Sequence, residues 1–358
     1  MRQRRQIDAE VPAPARQPRP SGNSVTVRDV AREAGVSVAT VSRVLNRNQR
    51  VAVELRDHVL SVAQRLNYTP QAAARALATQ RTQTVGAIIP TLEDPNFAVG
   101  VGALQKRLNQ AGYTLLLAST NYDPHEELRQ VRALTAQGIA GLLLVGSDRL
   151  PEIYNLLQTR SIPYVNTWVL DEQHPCVGFD NFAIGTMLAN YLADLGHREI
   201  GVIAQHSPES DRAAKRLSGI RDALAMRGLE KPEECLIERS HKILDGQLAM
   251  KRLLEGQRRP TAVVCGTDTL AFGAIIEARA QGLRVPEDIS ITGINDAEFA
   301  AHLSPPLTTV QLPVDQIGML AAEYLLEHID KRQPTARVSV PFNLIVRGST
   351  GRASRKSD

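Results

Sequence analysis

The chain has 358 residues, 43% of them apolar, and a formal net charge of +4 at neutral pH. A chain of this length and composition is too long for one small domain and can bury two or three separate cores. It contains no run of about 18 apolar residues that could cross a bilayer, and residues 1–20 lack the apolar segment of an export signal. We therefore expect a cytoplasmic protein with no membrane partner.

Positive charge is concentrated near the N-terminus. Residues 1–81 hold 14 arginines, no lysine and 6 acidic residues, a surplus of +8, so residues 82–358 carry −4. A compact basic segment attached to a mildly acidic body is expected when only that segment meets a polyphosphate such as DNA.

The sequence carries none of the common signatures of enzymes or metal sites. It has no GxSxG, GxxxxGK[ST], HExxH or CxxC, and the Gly-Val-Gly at 100–102 lacks the third glycine of a dinucleotide-binding turn. The cysteines Cys176, Cys235 and Cys265 are odd in number and widely spaced, which indicates reduced structural thiols. We expect neither enzymatic activity nor a metal or cofactor.

Three short helices are predicted early in the chain. Thr26 and Asp29 have the spacing of a capping box, and Gly35 ends the first helix where a positive φ is needed. A second helix begins after Ser37, and a third covers about residues 53–66. This pattern predicts a helix-turn-helix, in which the second helix can enter the major groove of DNA.

The segments on either side of these helices differ in composition. Residues 1–24 are rich in Pro and Arg and are predicted to form a disordered basic arm. Residues 71–83 begin with an alanine-rich stretch that favours a helix but is too short to be stable alone. We expect this second segment to fold only when something else holds it.

From residue 84 onward, short apolar strands alternate with amphipathic helices. This alternation predicts right-handed βαβ units and parallel sheets covered by helices on both faces. One such sheet accounts for roughly half of the segment, so two α/β lobes with a ligand cleft between them are the most economical arrangement.

The predicted organisation has five parts. They are a disordered arm at 1–24, a helix-turn-helix domain at 25–70, a hinge helix and linker at 71–83, a two-lobed body at 84–348, and a flexible tail at 349–358. The first lobe is expected to comprise about 84–177 and 310–333, and the second about 178–309 and 334–348.

Several segments have the composition and order of one known family. They are DVA at 29–31, AGVS at 34–37, TVSRVLN at 40–46, LNYTP at 66–70, and PEDISITGIND at 286–296. With them the chain resembles the lactose/galactose repressor family over about residues 25–348. The resemblance implies a helix-turn-helix head and hinge helix joined to a periplasmic-binding-protein type I body, and a DNA-binding regulator switched by a small effector.

The resemblance also implies roles for residues in the head. Val38, Ala39 and Arg43 match positions that contact base edges, where an arginine can donate two hydrogen bonds to guanine O6 and N7. Phosphate contacts are implied for Thr26, Ser37, Thr40, Ser42 and Asn46. For Thr26 and Ser37, a role as a helix cap is an equally good interpretation.

Two further implications concern the hinge and the third helix. Ala74, Leu77 and Ala78 would lie in the minor groove, where Leu77 of each protomer would wedge between base pairs and kink the duplex. The family usually caps the third helix with Ser or Thr, whereas Ala52 stands at that place here. The loss of a cap costs about 1 kcal/mol, which DNA binding should tolerate.

Polar and aromatic residues that follow strands mark the predicted cleft. Arg216 matches an arginine that holds effector hydroxyls or a carboxylate in the family, and Asn295 stands where the family commonly has Asp. The complete predicted set is Thr91, Asp94, Phe97, Asn166, Trp168, Arg216, Asp268 and Asn295. A place in the core is an equal alternative for Trp168, as is a helix cap for Asp180 and Asp268.

Arg216, together with Asn295 in place of an acid, favours an anionic ligand such as an aldonate. The predicted partners are double-stranded operator DNA, a small sugar or sugar acid of the gluconate type, and a second copy of the chain. A pseudo-palindromic operator needs two heads. The residues after Arg347 contain no leucine heptads, so a homodimer is expected rather than a tetramer.

Two other functions are open at this point. The effector could act as a corepressor, or the regulator could be an activator, because linkage requires only unequal binding to two conformations. The body alone would also suit a sugar-binding protein with no DNA role. The basic helix-turn-helix and the missing export signal argue against that second alternative.

Overall fold

The computed structural model describes residues 25–45, 51–68, 82–205, 210–229, 232–237, 242–333 and 335–354. It divides into two compact units, residues 1–80 and residues 81–358. Several predictions fall outside the described residues: the arm at 1–24, Asn46, and the hinge positions Ala74, Leu77 and Ala78.

The first unit contains the three predicted helices, α1 (Val27–Glu33), α2 (Val38–Leu45) and α3 (Val53–Arg65). Their core is made by fully or nearly fully buried valines, among them Val30, Val41 and Val59. The capping box is present, since the Asp29 carboxylate accepts the Thr26 backbone N–H at 3.0 Å. As expected, Ala52 stands at the N-cap position of α3 and provides no side-chain cap.

The second unit alternates strands and helices. In chain order these are β1 (Thr84–Ile89), α4 (Pro95–Gln110), β2 (Thr114–Ser119), α5 (Pro124–Ala136), β3 (Gly141–Val145), α6 (Pro151–Thr159), β4 (Tyr164–Thr167), β5 (Cys176–Gly178), α7 (Asn181–Asp194), β6 (Ile200–Gln205), α8 (Asp211–Met226), β7 (Glu233–Ile237), α9 (Ile243–Glu255), β8 (Ala262–Cys265), α10 (Asp268–Ala280), β9 (Ser290–Asn295), a 3₁₀ turn (Glu298–His302), β10 (Thr308–Gln311), α11 (Val314–Ile329), β11 (Arg337–Ser339) and β12 (Asn343–Ile345).

These strands form two six-stranded sheets, one in each lobe. The first has the order β11-β5-β4-β3-β1-β2 and is parallel throughout. The second has the order β12-β10-β9-β8-β6-β7 and is parallel except for β12. The central strands β3 and β8 are buried along their whole length, as expected for sheets covered on both faces. The predicted α/β class is confirmed.

The C-terminal part of the chain divides between the lobes differently from the prediction. Residues 310–311 belong to β10, which pairs with β9 in the second sheet. Residues 337–339 form β11, which pairs with β5 in the first sheet. The sequence-based prediction of the opposite lobe is therefore wrong for both segments. Strands of three or four residues give no periodic signal that identifies their neighbours.

The prediction of a flexible tail is wrong for residues 349–354, which pack against the second lobe. Ser349 is fully buried and donates its hydroxyl to the Ile291 carbonyl at 2.6 Å. His197 is 3% exposed and forms hydrogen bonds with the Ser290 hydroxyl and the Gly351 carbonyl. Burial lowers the pKa of His197. Isolated hydroxyls and a lone histidine give no hydrophobic pattern, which is why the sequence concealed this docking.

Three helix pairs cross with their backbones almost in contact. A Cβ atom added to Gly185 of α7 would lie closer than 3.0 Å to the Arg216 carbonyl oxygen of α8, and one on Gly219 would meet Phe182 in the same way. Similar contacts join α4 to α11 and α9 to α10, at Gly100, Gly318, Gly246 and Gly273. Glycine at 100 therefore serves the packing of α4 against α11 and Trp168, which gives Gly100 a role without a nucleotide site.

Among the described residues, no helix is both long and apolar enough to cross a membrane.

Candidate ligand cleft and recognition helix

Helix α2 presents the three predicted base-contacting residues to solvent. Val38, Ala39 and Arg43 are exposed, while Val41 and Val44 on the opposite side are buried. The helix is therefore anchored by its apolar side and keeps a free face that can enter a groove.

The hydroxyl groups predicted to contact phosphates already have partners within the head. Thr26 caps α1, and the Ser37 hydroxyl accepts the Thr40 backbone N–H at 3.1 Å and bonds the Thr40 hydroxyl at 2.9 Å. The capping interpretation of Thr26 and Ser37 is thus observed in the structure. Ser42 lies half-buried on α2.

A cavity lies between the two lobes, at the carboxyl ends of their strands. Five of the eight predicted cleft residues line it together: Asp94, Phe97, Trp168, Arg216 and Asn295. Asp94 caps α4, accepting the Asn96 backbone N–H at 3.0 Å. The neighbouring Asp296 is paired with Arg347 at 2.7 Å, which leaves Asn295 as the member of the Asn-Asp pair that lines this cavity.

The other three predicted cleft residues are not among those that line this cavity. The Thr91 hydroxyl accepts the Glu93 backbone N–H at 3.1 Å, and Asn166 donates to the Tyr154 hydroxyl at 2.9 Å. Asp268 is 1% exposed, and Thr267 rather than Asp268 caps α10. Asp180 caps α7, in line with the alternative considered for it.

Asp268 joins three elements of the second lobe. Its carboxylate accepts the Thr309 hydroxyl at 2.5 Å and the Ala297 backbone N–H at 2.7 Å. Burial raises its pKa to about 6, because the charged form is poorly solvated there. These contacts connect the start of α10 to β10 and to the turn after β9.

Asp268→Ala is expected to lower the free energy of unfolding of the protein by about 2 to 4 kcal/mol, since two buried donors lose their acceptor. The folded pKa lies above the ordinary value, so the stabilisation by wild-type Asp268 is largest below pH 4 and declines as pH rises through about 6. Urea unfolding should therefore show a larger penalty at pH 4.5 than at pH 7. The exposed Asp222→Ala on α8 is the control, and equal stability of the two variants would contradict the prediction.

Sequence reasoning missed several residues of the cavity wall: Asn96, Tyr122, Gln205, Ser210, Arg212 and Thr267. Gln205 ends β6, so the strand-end argument applied to the other residues would have found it. Arg212 lies one helical turn before Arg216 on α8, a spacing that places both on one face. Tyr122 lies in a turn with a φ of 63°, which the sequence does not reveal.

Two aromatic rings form the apolar wall of the cavity. Phe97 and Trp168 meet edge to face with ring centroids 5.4 Å apart. Trp168 has a φ of 61°, a backbone conformation that residues other than glycine rarely adopt and that often marks a functional position. Its indole is buried, yet its Nε1–H has no hydrogen-bond partner among the described residues. Trp168 therefore belongs both to the core and to the cavity wall.

Arg216 supplies a desolvated cation. Its Nε donates to the Asn181 side-chain oxygen at 2.8 Å, and Asn181 in turn donates to the Trp168 carbonyl at 2.9 Å. Burial, and then the nearby charge of Arg212, lower the pKa of Arg216 to about 10, so it remains protonated at neutral pH. Burial also raises the pKa of Tyr122 to about 12, which keeps its phenol neutral. The cavity is thus equipped to bind acceptor-rich or anionic ligands.

Comparisons with known proteins agree with this architecture. The model of the bacterial regulatory proteins, lacI family, matches residues 26–71, and that of a periplasmic binding protein-like domain matches residues 189–350. The HTH-type transcriptional repressor PurR of Klebsiella pneumoniae is 35% identical over 332 residues, covering 90% of this chain and 96% of that protein. The ribose operon repressor of Haemophilus influenzae is 34% identical over 317 residues, covering 88% and 95%.

Among solved structures, the lac repressor dimer bound to operator and the anti-inducer ONPF matches with a TM-score of 0.81 and 26% identity, covering 92% of this chain and 100% of that one. The chain belongs to the lacI family of bacterial regulatory proteins. It is a transcription regulator with a DNA-binding head and an effector-binding body.

Proposed function

We propose that the protein is a repressor that binds a pseudo-palindromic operator as a homodimer and is released from it by a small sugar or sugar acid of the gluconate type. The observation that carries this proposal is the presence, in one chain, of an exposed recognition face on α2 and a donor-rich cavity between two lobes. Both relatives described above are named as repressors, which supports repression rather than activation of transcription.

In this proposal the residues have separate tasks. Arg43 pairs with a guanine, Val38 and Ala39 contact thymine methyl groups or other apolar edges, and the hydroxyl residues of the head hold phosphates. Leu77 wedges into the minor groove at the centre of the operator. In the body, Arg216 binds the effector, and the other four cavity residues found by sequence, Asp94, Phe97, Trp168 and Asn295, set the orientation of the effector.

A twofold body interface would bring two heads to the two halves of the operator. The lac repressor structure is described as a dimer bound to operator, which supports this arrangement. Sedimentation of the purified protein at the mass of a dimer is expected, and a tetramer mass would contradict it.

The deciding experiment is a gel shift with DNA from upstream of the protein's own and neighbouring genes, with and without gluconate, galactonate, glucose and ribose. A specific shift that one compound abolishes supports an inducible repressor. A shift that appears only with a compound identifies a corepressor instead. If no fragment is bound specifically under any condition, the proposed operator function is wrong.

Arg43→Ala is expected to weaken operator binding by about 1 to 3 kcal/mol and to relax discrimination at one guanine position. The measurement is a titration of the protein against the operator and against operators substituted at each base pair. Arg56→Ala removes a partly exposed arginine of α3 that forms a loose ion pair with Asp57 at 3.7 Å, and it serves as the control. Uniform weakening on all sequences would make Arg43 a phosphate contact.

A further inference from the structure

Arg212 lies at the junction of the cavity and the opposite lobe. Its side chain is 9% exposed and lines the cavity, and its Nη1 donates to Asp211 Oδ1 at 3.0 Å. Among the described residues, no hydrogen bond engages its Nε or Nη2. The guanidinium thus has one occupied nitrogen and further donors available to a ligand.

Asp211 connects Arg212 to the first lobe. It is the first residue of α8, in the second lobe, yet its Oδ2 accepts the backbone N–H of Ser147 at 2.7 Å and that of Asp148 at 3.4 Å. The Ser147 hydroxyl donates to the same oxygen at 3.2 Å. These residues directly follow β3 of the first lobe, so one carboxylate spans the two lobes.

The loop after β3 is shaped around this ion pair. Gly146 has a φ of 81°, and an added Cβ atom would lie 2.5 Å from Arg212 Nη1 and 2.9 Å from Asp211 Oδ1. A side chain at this position would displace the pair. Glycine at 146 therefore leaves the room that Asp211 and Arg212 need beside this loop.

The remaining polar groups of the cavity also favour an anion. The Nε1–H of Trp168 is a buried donor without a partner among the described residues, and the side chain of Gln205 also lines the cavity. Asp94 is the one carboxylate among the described wall residues, against the two guanidinium groups of Arg212 and Arg216. Buried donors without acceptors are costly, so a ligand that supplies several acceptor oxygens would satisfy them.

Building on the proposed effector function, we infer that Arg212 binds the carboxylate of a sugar acid and that Asp211, by holding Arg212 from the other lobe, couples this binding to closure of the two lobes. Asp211 is a positioning residue, since it touches Arg212 and the first lobe rather than the ligand. The sugar hydroxyls then lie toward Gln205 and toward Trp168, whose unpartnered donor they satisfy.

The test uses the full chain and the fluorescence of Trp168, the sole tryptophan of the sequence. Wild type, Asp211→Asn and Asp148→Asn are titrated with gluconate, galactonate and glucose. Asp148→Asn is the matched control, because it removes an equal charge from the same junction but leaves the backbone N–H groups that bind Asp211. Thermal melts verify that all three proteins are folded.

We expect wild type to bind a sugar acid and not glucose, and Asp211→Asn to bind that acid about tenfold or more weakly, with Asp148→Asn within about twofold of wild type. The direction in which Asp211→Asn changes the affinity for the acid distinguishes two roles of Asp211. If Asp211 acted only as a neighbouring negative charge, its removal would tighten binding of an anion. Unchanged or tighter binding by Asp211→Asn therefore overturns the coupling, and binding of glucose without the acids overturns the ligand class.

The proposed function and this inference can fail separately. If a sugar acid binds with the expected variant pattern but does not alter operator affinity in the gel shift, the inference holds and the proposed induction is wrong. If operator binding responds to glucose or ribose but not to the acids, induction holds and the carboxylate site is overturned.

Discussion

Gly185→Ala is expected to lower the free energy of unfolding by about 3 kcal/mol or more and the melting temperature by roughly 10 °C. The added methyl group would overlap the Arg216 carbonyl oxygen, much closer than van der Waals contact allows, and a backbone atom in mid-helix cannot rotate away as a side chain can. Helices α7 and α8 must separate, which opens the core around Leu188 and Leu217. Thermal denaturation followed by circular dichroism measures the effect.

The same substitution at Gly102 provides the control. Gly102 lies within α4, and an added Cβ atom would meet nothing within 4 Å. Alanine favours a helix over glycine by about 1 kcal/mol, so Gly102→Ala should raise stability slightly. If both variants melt at the wild-type temperature, α7 and α8 do not cross at the distance described here.

Arg216→Met is expected to weaken the response to effector at least about a hundredfold. A desolvated guanidinium gives charge-assisted hydrogen bonds of about 1.5 to 3 kcal/mol each, and the methionine side chain gives none. The measurement is the midpoint of an effector titration in the operator gel shift, using the compound that releases the wild-type protein. Operator affinity without effector should change little, because Arg216 lies in the body.

Two variants separate the role of Arg216 in binding from its role in structure. Lys215→Met removes the same charge from the exposed neighbouring position and should respond as wild type does. Arg216→Met also deprives the Asn181 oxygen of its donor, so a loss of about 1 to 3 kcal/mol in stability should accompany it. A destabilised variant that still responds normally would show that Arg216 only orients Asn181.

Much of the fold was predictable because it depends on local patterns. The Thr26 and Asp29 capping box, the turn at Gly35 and the continuous apolar runs of strands such as β3 are each encoded within a few residues. The strand-end rule brought four cleft residues, Asp94, Phe97, Trp168 and Asn295, to one cavity for the same reason, whereas Arg216 was predicted from the family resemblance. Parallel strands place their carboxyl ends at one edge of a sheet whatever the rest of the chain does.

What the sequence concealed depends on contacts between distant segments. Asp268 has the position of a cleft residue, but Thr309 and Ala297 approach it and occupy its oxygens. Arg212 was overlooked because its position depends on a distant loop. Asp211 holds Arg212 and also binds Ser147, which lies 64 residues earlier in the chain than Asp211. No periodicity in α8 reports such a partner.

Because the C-terminal segments are divided between the two lobes, the first lobe cannot finish folding until most of the second lobe has been synthesised. The first sheet is covered by α11, whose Ile317 and Leu325 are fully buried, and it gains its last strand only at β11. A ribosome must therefore make the whole second lobe up to β10 before the first lobe can close its core. Until then the first lobe exposes apolar surface, which makes the nascent chain a substrate for chaperones and prone to aggregation.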